Sequence, residues 1–245
     1  MIGHQEMLQL KRWNTPTVYN GWERITRRER TAGLFNREEC RDFMPEMGPM
    51  VGRALTVLFE PSNPAHLRTF PERKEAYLKY LARDQGPRIL VLQDLDKPQV
   101  LASYWGEINA NLHKAFGCIG TITDGAIRDL TEMKNAGFKA IARRLCVGHA
   151  YSCPVRWDCE VQVFGCRIQP GQLIHADQHG FLVIPEEEED ALLEAVLFMD
   201  QNECRHKLPM TRGSAGLTGI QLIDAILSED AEFEREARAK FEGND

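Results

Sequence analysis

The hydrophobic positions of this chain repeat with two different periods, and the places where one period gives way to the other predict alternating strands and helices. Ala54-Leu55-Thr56-Val57-Leu58-Phe59 reads as a strand closed by Pro61-Ser62-Asn63-Pro64. The spacing of Ala76, Tyr77, Tyr80 and Leu81 predicts a helix over 71–83, with Pro71 near its start. A buried strand over 88–92 follows, and acids in Gln93-Asp94-Leu95-Asp96 form the turn before Lys97-Pro98. Gly106 to Asn109 then opens a helix on which Ile108, Leu112, Ala115 and Phe116 recur at helical spacing. Residues 117–122 make a short buried strand that stops at the turn Thr123-Asp124-Gly125. A short helix over 129–135 ends at Gly137, and 138–142 is another strand. Strands over 160–164, 172–176 and 181–184 complete the pattern, the last two joined by Asp177-Gln178-His179-Gly180.

Between these, residues 143–159 fit two roles equally well. Arg143, Arg144, His149, Tyr151 and Arg156 suit a loop that binds a distal carboxylate, or a loop with no ligand. The flanks are helical. Residues 1–45 form a charged N-terminal arm with a helix over 21–30, whose Trp13 and Trp22 serve either the arm's own core or a subunit contact. Acids 186–190 start a helix continued by Leu192, Leu193, Val196 and Leu197, and two more helices are predicted near 217–227 and 231–241. The fold class is therefore α/β, in one domain made of an arm (1–45), a core (46–186) and C-terminal helices (187–245).

Composition narrows the function. At 245 residues, 43% of them hydrophobic, the chain can bury a full core. A net charge of −6, with its cations dispersed among acids, argues against nucleic-acid binding. No apolar run approaches the ~20 residues that cross a bilayer, and the N-terminus lacks the apolar segment of a signal peptide, so a cytoplasmic protein without membrane contact is expected. Seven cysteines fit reduced thiols better than a disulfide framework. The spacing of Cys146, Cys153, Cys159 and Cys166 matches no zinc pattern, and His175 and His179 flank a hairpin.

The chemistry concentrates in Gly106-Glu107-Ile108-Asn109 and Arg128-Asp129. A helix start at Gly106 offers unpaired amides to an anion. Arg128 and Asp129 lie just beyond a strand's C-terminal end, where ligands collect in open α/β sheets. Asp129 is a hard oxygen ligand suited to Mg²⁺ or Mn²⁺, and Arg128 offers a planar fork for a carboxylate. Glu107 would face the metal's water shell and orient or deprotonate a water there. A 2-oxo acid supplies both a carboxylate and a second oxygen to such a site.

Glu107, twenty intervening residues and Arg128-Asp129 reproduce a known signature. With Gly48-Pro49-Met50-Val51-Gly52-Arg53-Ala54-Leu55-Thr56-Val57 upstream and Gly165, Pro170-Gly171, Ala176-Asp177, Gly180 and Val183-Ile184-Pro185 downstream, the chain resembles the regulator-of-ribonuclease-activity-like (RraA-like) superfamily over roughly 46–186. Within it, the likeness is to the class II 4-hydroxy-4-methyl-2-oxoglutarate (4-carboxy-4-hydroxy-2-oxoadipate) aldolases.

That resemblance implies a layered, swivelling β/β/α domain, here with helical additions at both ends, assembled as a homotrimer or hexamer. It implies divalent-metal-dependent cleavage of a 4-hydroxy-2-oxo acid to pyruvate and a carbonyl product, with oxaloacetate decarboxylation through the same enolate. Asp129 would bind the metal, Arg128 and the amides of Gly106, Glu107, Ile108 and Asn109 the pyruvyl end, and Glu107 the water. A stabilising role falls to Ile141-Ala142-Arg143. The competing implication is a non-catalytic regulator of ribonuclease activity; such relatives lack the metal-binding acid, whereas this chain has Asp129. No glycine-rich loop supports the methyltransferase reading that the superfamily also carries.

Overall fold

The protein is described here from a computed structural model covering residues 2–83 and 86–242. Its strands are β1 (Arg41–Asp42), β2 (Met50–Phe59), β3 (Arg88–Asp94), β4 (Ser103–Trp105), β5 (Cys118–Ile127), β6 (Lys139–Leu145), β7 (Pro154–Trp157), β8 (Val161–Val163), β9 (Cys166–Ile168), β10 (Leu173–Asp177) and β11 (Gly180–Ile184). The helices are α1 (His4–Leu10), α2 (Thr15–Ile25), α3 (Pro64–Ala82), α4 (Glu107–Ala115), α5 (Leu130–Asn135), α6 (Glu189–Asn202), α7 (Leu208–Arg212) and α8 (Gly219–Ala237).

A nine-stranded sheet runs β1-β6-β5-β3-β2-β10-β11, with β4 paired to β5 and β7 to β2. Its centre, β2-β3-β5-β6, is parallel, while β10 and β11 add antiparallel strands at one side. Period-two alternation explains the layering. Leu55, Val57 and Phe59 of β2 and Leu90 and Leu92 of β3 pack with Tyr77 and Leu81 of α3, Ala110 of α4 and Met133 of α5. Their neighbours Ala54, Ile89 and Val91 belong to a second cluster with Val161, Val163, Cys166 and Ile168 of the separate β8-β9 hairpin. The result is the expected hairpin, sheet and helix layers.

The arm is part of this body. Leu10, Val18 and Trp22 share a third cluster with Leu182, Ile184, Leu192 and Val196, so both Trp13 and Trp22 are buried within the chain. Its helix α2 starts earlier than the pattern predicts, because Asn14 Oδ1 accepts the Thr17 N–H and Pro16 occupies the first turn. His175, fully buried, ties the arm to β10: it hydrogen-bonds Thr15 Oγ1 at 2.9 Å and the Leu10 carbonyl at 3.2 Å. Burial pushes it down to about 4, despite the opposing pull of the Leu10 carbonyl and the Asp177 charge.

Three further expectations are corrected. Helix α3 begins at Pro64, where Asn63 caps Ala65, and runs on through Pro71. Strand β5 does not stop at Thr123-Asp124-Gly125 but continues to Ile127. Asp124 is held inside the sheet, accepting the Asp94 N–H at 2.8 Å and Lys97 Nζ at 2.6 Å, and the irregularity that Gly125 signals is a register shift against β6. The two predicted C-terminal helices are one, α8, opened by a Thr218–Gln221 capping box. All seven cysteines are free thiols, and among the described residues no helix is long and apolar enough to cross a membrane.

Candidate active site

The two helix starts singled out in the sequence meet because their strands are neighbours. Strand β4 lies parallel to β5 with Trp105 opposite Ile127, so α4 and the turn into α5 leave the sheet side by side. The Arg128 N–H donates to the Trp105 carbonyl at 3.1 Å. Asp129 adopts a left-handed conformation (φ 55°, ψ 49°), uncommon for a residue with a side chain and most tolerated by Asn and Asp. That twist accompanies a carboxylate turned toward α4, where Oδ2 accepts the Glu107 N–H at 3.1 Å. Gly106 is required by contact: its backbone is extended, but a Cβ there would lie 2.5 Å from Asp129 Oδ2 and 3.2 Å from Arg128 Nε.

Gly106, Glu107, Arg128 and Asp129 border one cleft of about 310 Å³. Arg128 Nε stands 3.7 Å from Asp129 Oδ2, and Nη1 donates to the Val147 carbonyl at 3.0 Å. Both side chains are more than a third exposed, so the remaining guanidinium donors are open to a ligand. Ile108 and Asn109 also border the cleft. In the first turn of α4 their N–H groups have no carbonyl a turn earlier to bond. The Asn109 side chain has another task, donating from Nδ2 to the Tyr104 carbonyl at 2.7 Å.

Helix α4 is seated by a residue the sequence pattern overlooked. Its buried side is Ala110 and His113, whereas Ile108, Leu112 and Ala115 face outward, Ile108 being 83% exposed. His113 Nδ1 donates to the Asn109 carbonyl at 2.6 Å, so Nε2 is left to accept the Tyr77 hydroxyl at 2.7 Å. Burial pushes this imidazole down to about 4 and keeps it neutral.

Four more cleft residues, Ser103, Tyr104, His149 and Ser152, were not assigned to the site from sequence. Strand β4 is too short to show a period. The loop after β6 shows none, though it carries His149 to the same cleft. The acids of 93–96 and Asp124 lie outside this cleft.

The donor set suits a hard divalent cation. Asp129 and Glu107, both carboxylate-bearing, border the same cavity, and among the described residues no three His, Cys, Asp or Glu side chains gather into a closed cage. One or two carboxylates, with water and substrate completing the shell, is how Mg²⁺ is commonly held.

The family described as RraA-like, Aldolase/RraA, matches residues 15–183. Protein DlpA of Legionella pneumophila is 24% identical over 133 residues, covering 54% of this chain and 22% of that protein, so the chain spans about a fifth of that curated relative. An uncharacterized protein from Pseudomonas syringae pv. tomato superposes with a TM-score of 0.66 at 20% identity, over 91% of this chain and 98% of that one. Streptomyces coelicolor RraAS2, described as an unusual member of the RNase ES inhibitor RraA protein family, gives a TM-score of 0.63 at 19% identity, over 82% and 95%. At these identities the solved structures establish a shared fold.

Proposed function

The chain belongs to the RraA-like family, and from that membership we propose that it is a divalent-metal-dependent lyase that cleaves a 4-hydroxy-2-oxo acid to pyruvate and a carbonyl product. The observation that carries this reading is one cleft bordered by Arg128, Glu107 and Asp129, with the Asp129 carboxylate braced by the Glu107 amide. Asp129 would hold Mg²⁺ or Mn²⁺, with Glu107 reaching it through water. A bound cation supplies Lewis acidity toward the substrate's 2-oxo and carboxylate oxygens. Arg128 pairs with the substrate carboxylate through donors not spent on Val147, and the Ile108 and Asn109 amides hold the same end. Glu107, exposed at the cleft mouth, exchanges a proton with water there.

Oxaloacetate decarboxylation belongs to the same reading, because loss of CO₂ and loss of a carbonyl fragment both leave pyruvate enolate. So does assembly as a homotrimer or hexamer: Ile108 and Val147, 83% and 90% exposed beside the cleft, are apolar groups that a subunit contact would cover. The regulator reading makes no use of the cleft, and an Asp129 present and braced in it favours the enzyme.

The test is pyruvate release from oxaloacetate and from a set of 4-hydroxy-2-oxo acids, with Mg²⁺ or Mn²⁺ and with chelator. Turnover that chelator abolishes is expected. Release of no pyruvate from any of these substrates, or equal rates with chelator, overturns the proposal.

A further inference from the structure

The loop between β6 and β7 contributes His149 and Ser152 to the border of the cleft, and it is anchored at both ends. The Cys146 N–H donates to the Ile127 carbonyl at 3.1 Å, Arg128 Nη1 to the Val147 carbonyl at 3.0 Å, and the Ser103 N–H to the Gly148 carbonyl at 2.8 Å. Beyond His149, the Tyr151 N–H reaches the Pro61 carbonyl at 3.3 Å, while the Ser152 N–H and hydroxyl both donate to the His149 carbonyl. Ala150 is held at φ 40°, a left-handed conformation that an alanine rarely adopts. The neighbouring contacts fix this turn, and His149 is the imidazole it brings to the cleft.

The tautomer follows from the geometry. His149 Nδ1 lies 3.2 Å from the Ala150 carbonyl, which can only accept, so Nδ1 carries the proton and Nε2 keeps its lone pair. Among the described residues Nε2 is in no hydrogen bond. Two other hydroxyls are committed, Ser103 Oγ donating to the Trp105 carbonyl at 2.5 Å and Ser152 Oγ giving its one proton to the His149 carbonyl, and burial pushes the Tyr104 hydroxyl well up.

We propose that His149 is the catalytic base of the cleavage step, accepting on Nε2 the proton of the substrate's 4-hydroxyl. This rests on the aldolase reading above. As that proton moves to Nε2, the O–H electron pair becomes the second C–O bond of the departing carbonyl product. The C3–C4 bond breaks, and its pair passes to C3 as pyruvate enolate. The imidazolium then returns its proton to C3, giving pyruvate and a neutral His149, so no further reactant is needed.

The two reactions of the cleft separate this role from a structural one, because oxaloacetate has no 4-hydroxyl to deprotonate. His149→Gln is expected to lower the ratio of 4-hydroxy-2-oxo acid cleavage to oxaloacetate decarboxylation about 10²-fold or more, the usual worth of a general base. In His149→Ala, added imidazole is expected to restore cleavage. A ratio within threefold of the parent, or a deficit that imidazole does not relieve, overturns the assignment of His149 while leaving the aldolase reading intact. A parent protein that releases pyruvate from neither substrate overturns the reading beneath it.

Discussion

Two carboxylates stand at the ends of adjacent strands, and their surroundings divide them. Asp94 closes β3 fully buried, with Oδ1 accepting the Asp96 N–H at 2.9 Å and Oδ2 without a hydrogen-bond partner among the described residues. Burial, opposed by the Asp96 amide and reinforced by the charge of Asp124, pushes it up to about 7. Asp129, just past β5, is more than a third exposed, braced by an amide and flanked by a guanidinium over an open cleft. A strand-end acid is available to a ligand when the chain leaves it a path to solvent and a donor to orient it. Sealed in, the same group becomes a proton-holding part of the core.

That contrast can be broken most sharply at Arg128. Arg128→Ala should raise KM for oxaloacetate far more than it lowers kcat, costing about 2–5 kcal/mol if a desolvated carboxylate loses its partner. An unchanged KM would remove Arg128 from substrate binding. Next comes Gly106→Ala, which the extended backbone accepts but which drives a methyl against Asp129 Oδ2. Pyruvate release should fall roughly 10²-fold, as misplacement of about 1 Å can do, while circular dichroism stays that of the parent. A fully active alanine variant would mean that the braced carboxylate is not needed.

The sealed acid predicts the opposite behaviour. Unfolded Asp94 loses its proton near 3.8 and folded Asp94 near 7, so stability declines as pH rises between these values and the deficit is complete above 7. Asp94→Asn should therefore gain roughly 1–3 kcal/mol on the parent at pH 8 and little at pH 4. Urea titrations at both pH values check this, and a variant less stable at pH 8 would contradict it. The smallest effect belongs to His113, held neutral in the core. Below pH 6.5 the unfolded imidazole gains a proton that the folded one refuses until about 4, so stability falls across that window as pH falls. His113→Gln should flatten the acid side of the urea midpoint profile; an unaltered slope would remove His113 as its cause.

Much of this was legible in the sequence because strands covered on both faces read as near-continuous apolar runs. Leu55, Val57 and Phe59 announce the sheet, and the spacing of Glu107 from Arg128-Asp129 announces the cleft. What escaped did so for local reasons. Asp124-Gly125 has the chemistry of a turn, yet Lys97 and the Asp94 amide hold it in the sheet. The apolar side of α4 at Ile108 and Leu112 faces out, while a histidine satisfied by Tyr77 takes the core side. His149 lies on a loop whose form depends on carbonyls accepting from Arg128 and Ser103, contacts that carry no periodicity.

The most direct measurement sets the two strand-end acids side by side: Mn²⁺-dependent pyruvate release by Asp129→Asn and by Asp94→Asn, each beside the parent. Turnover should be lost in Asp129→Asn, by about 10³-fold or more on the scale of a Lewis acid's several kcal/mol, and should stay within threefold of the parent in Asp94→Asn. An Asp129→Asn protein working at the parental rate, or a loss confined to Asp94→Asn, would contradict the account.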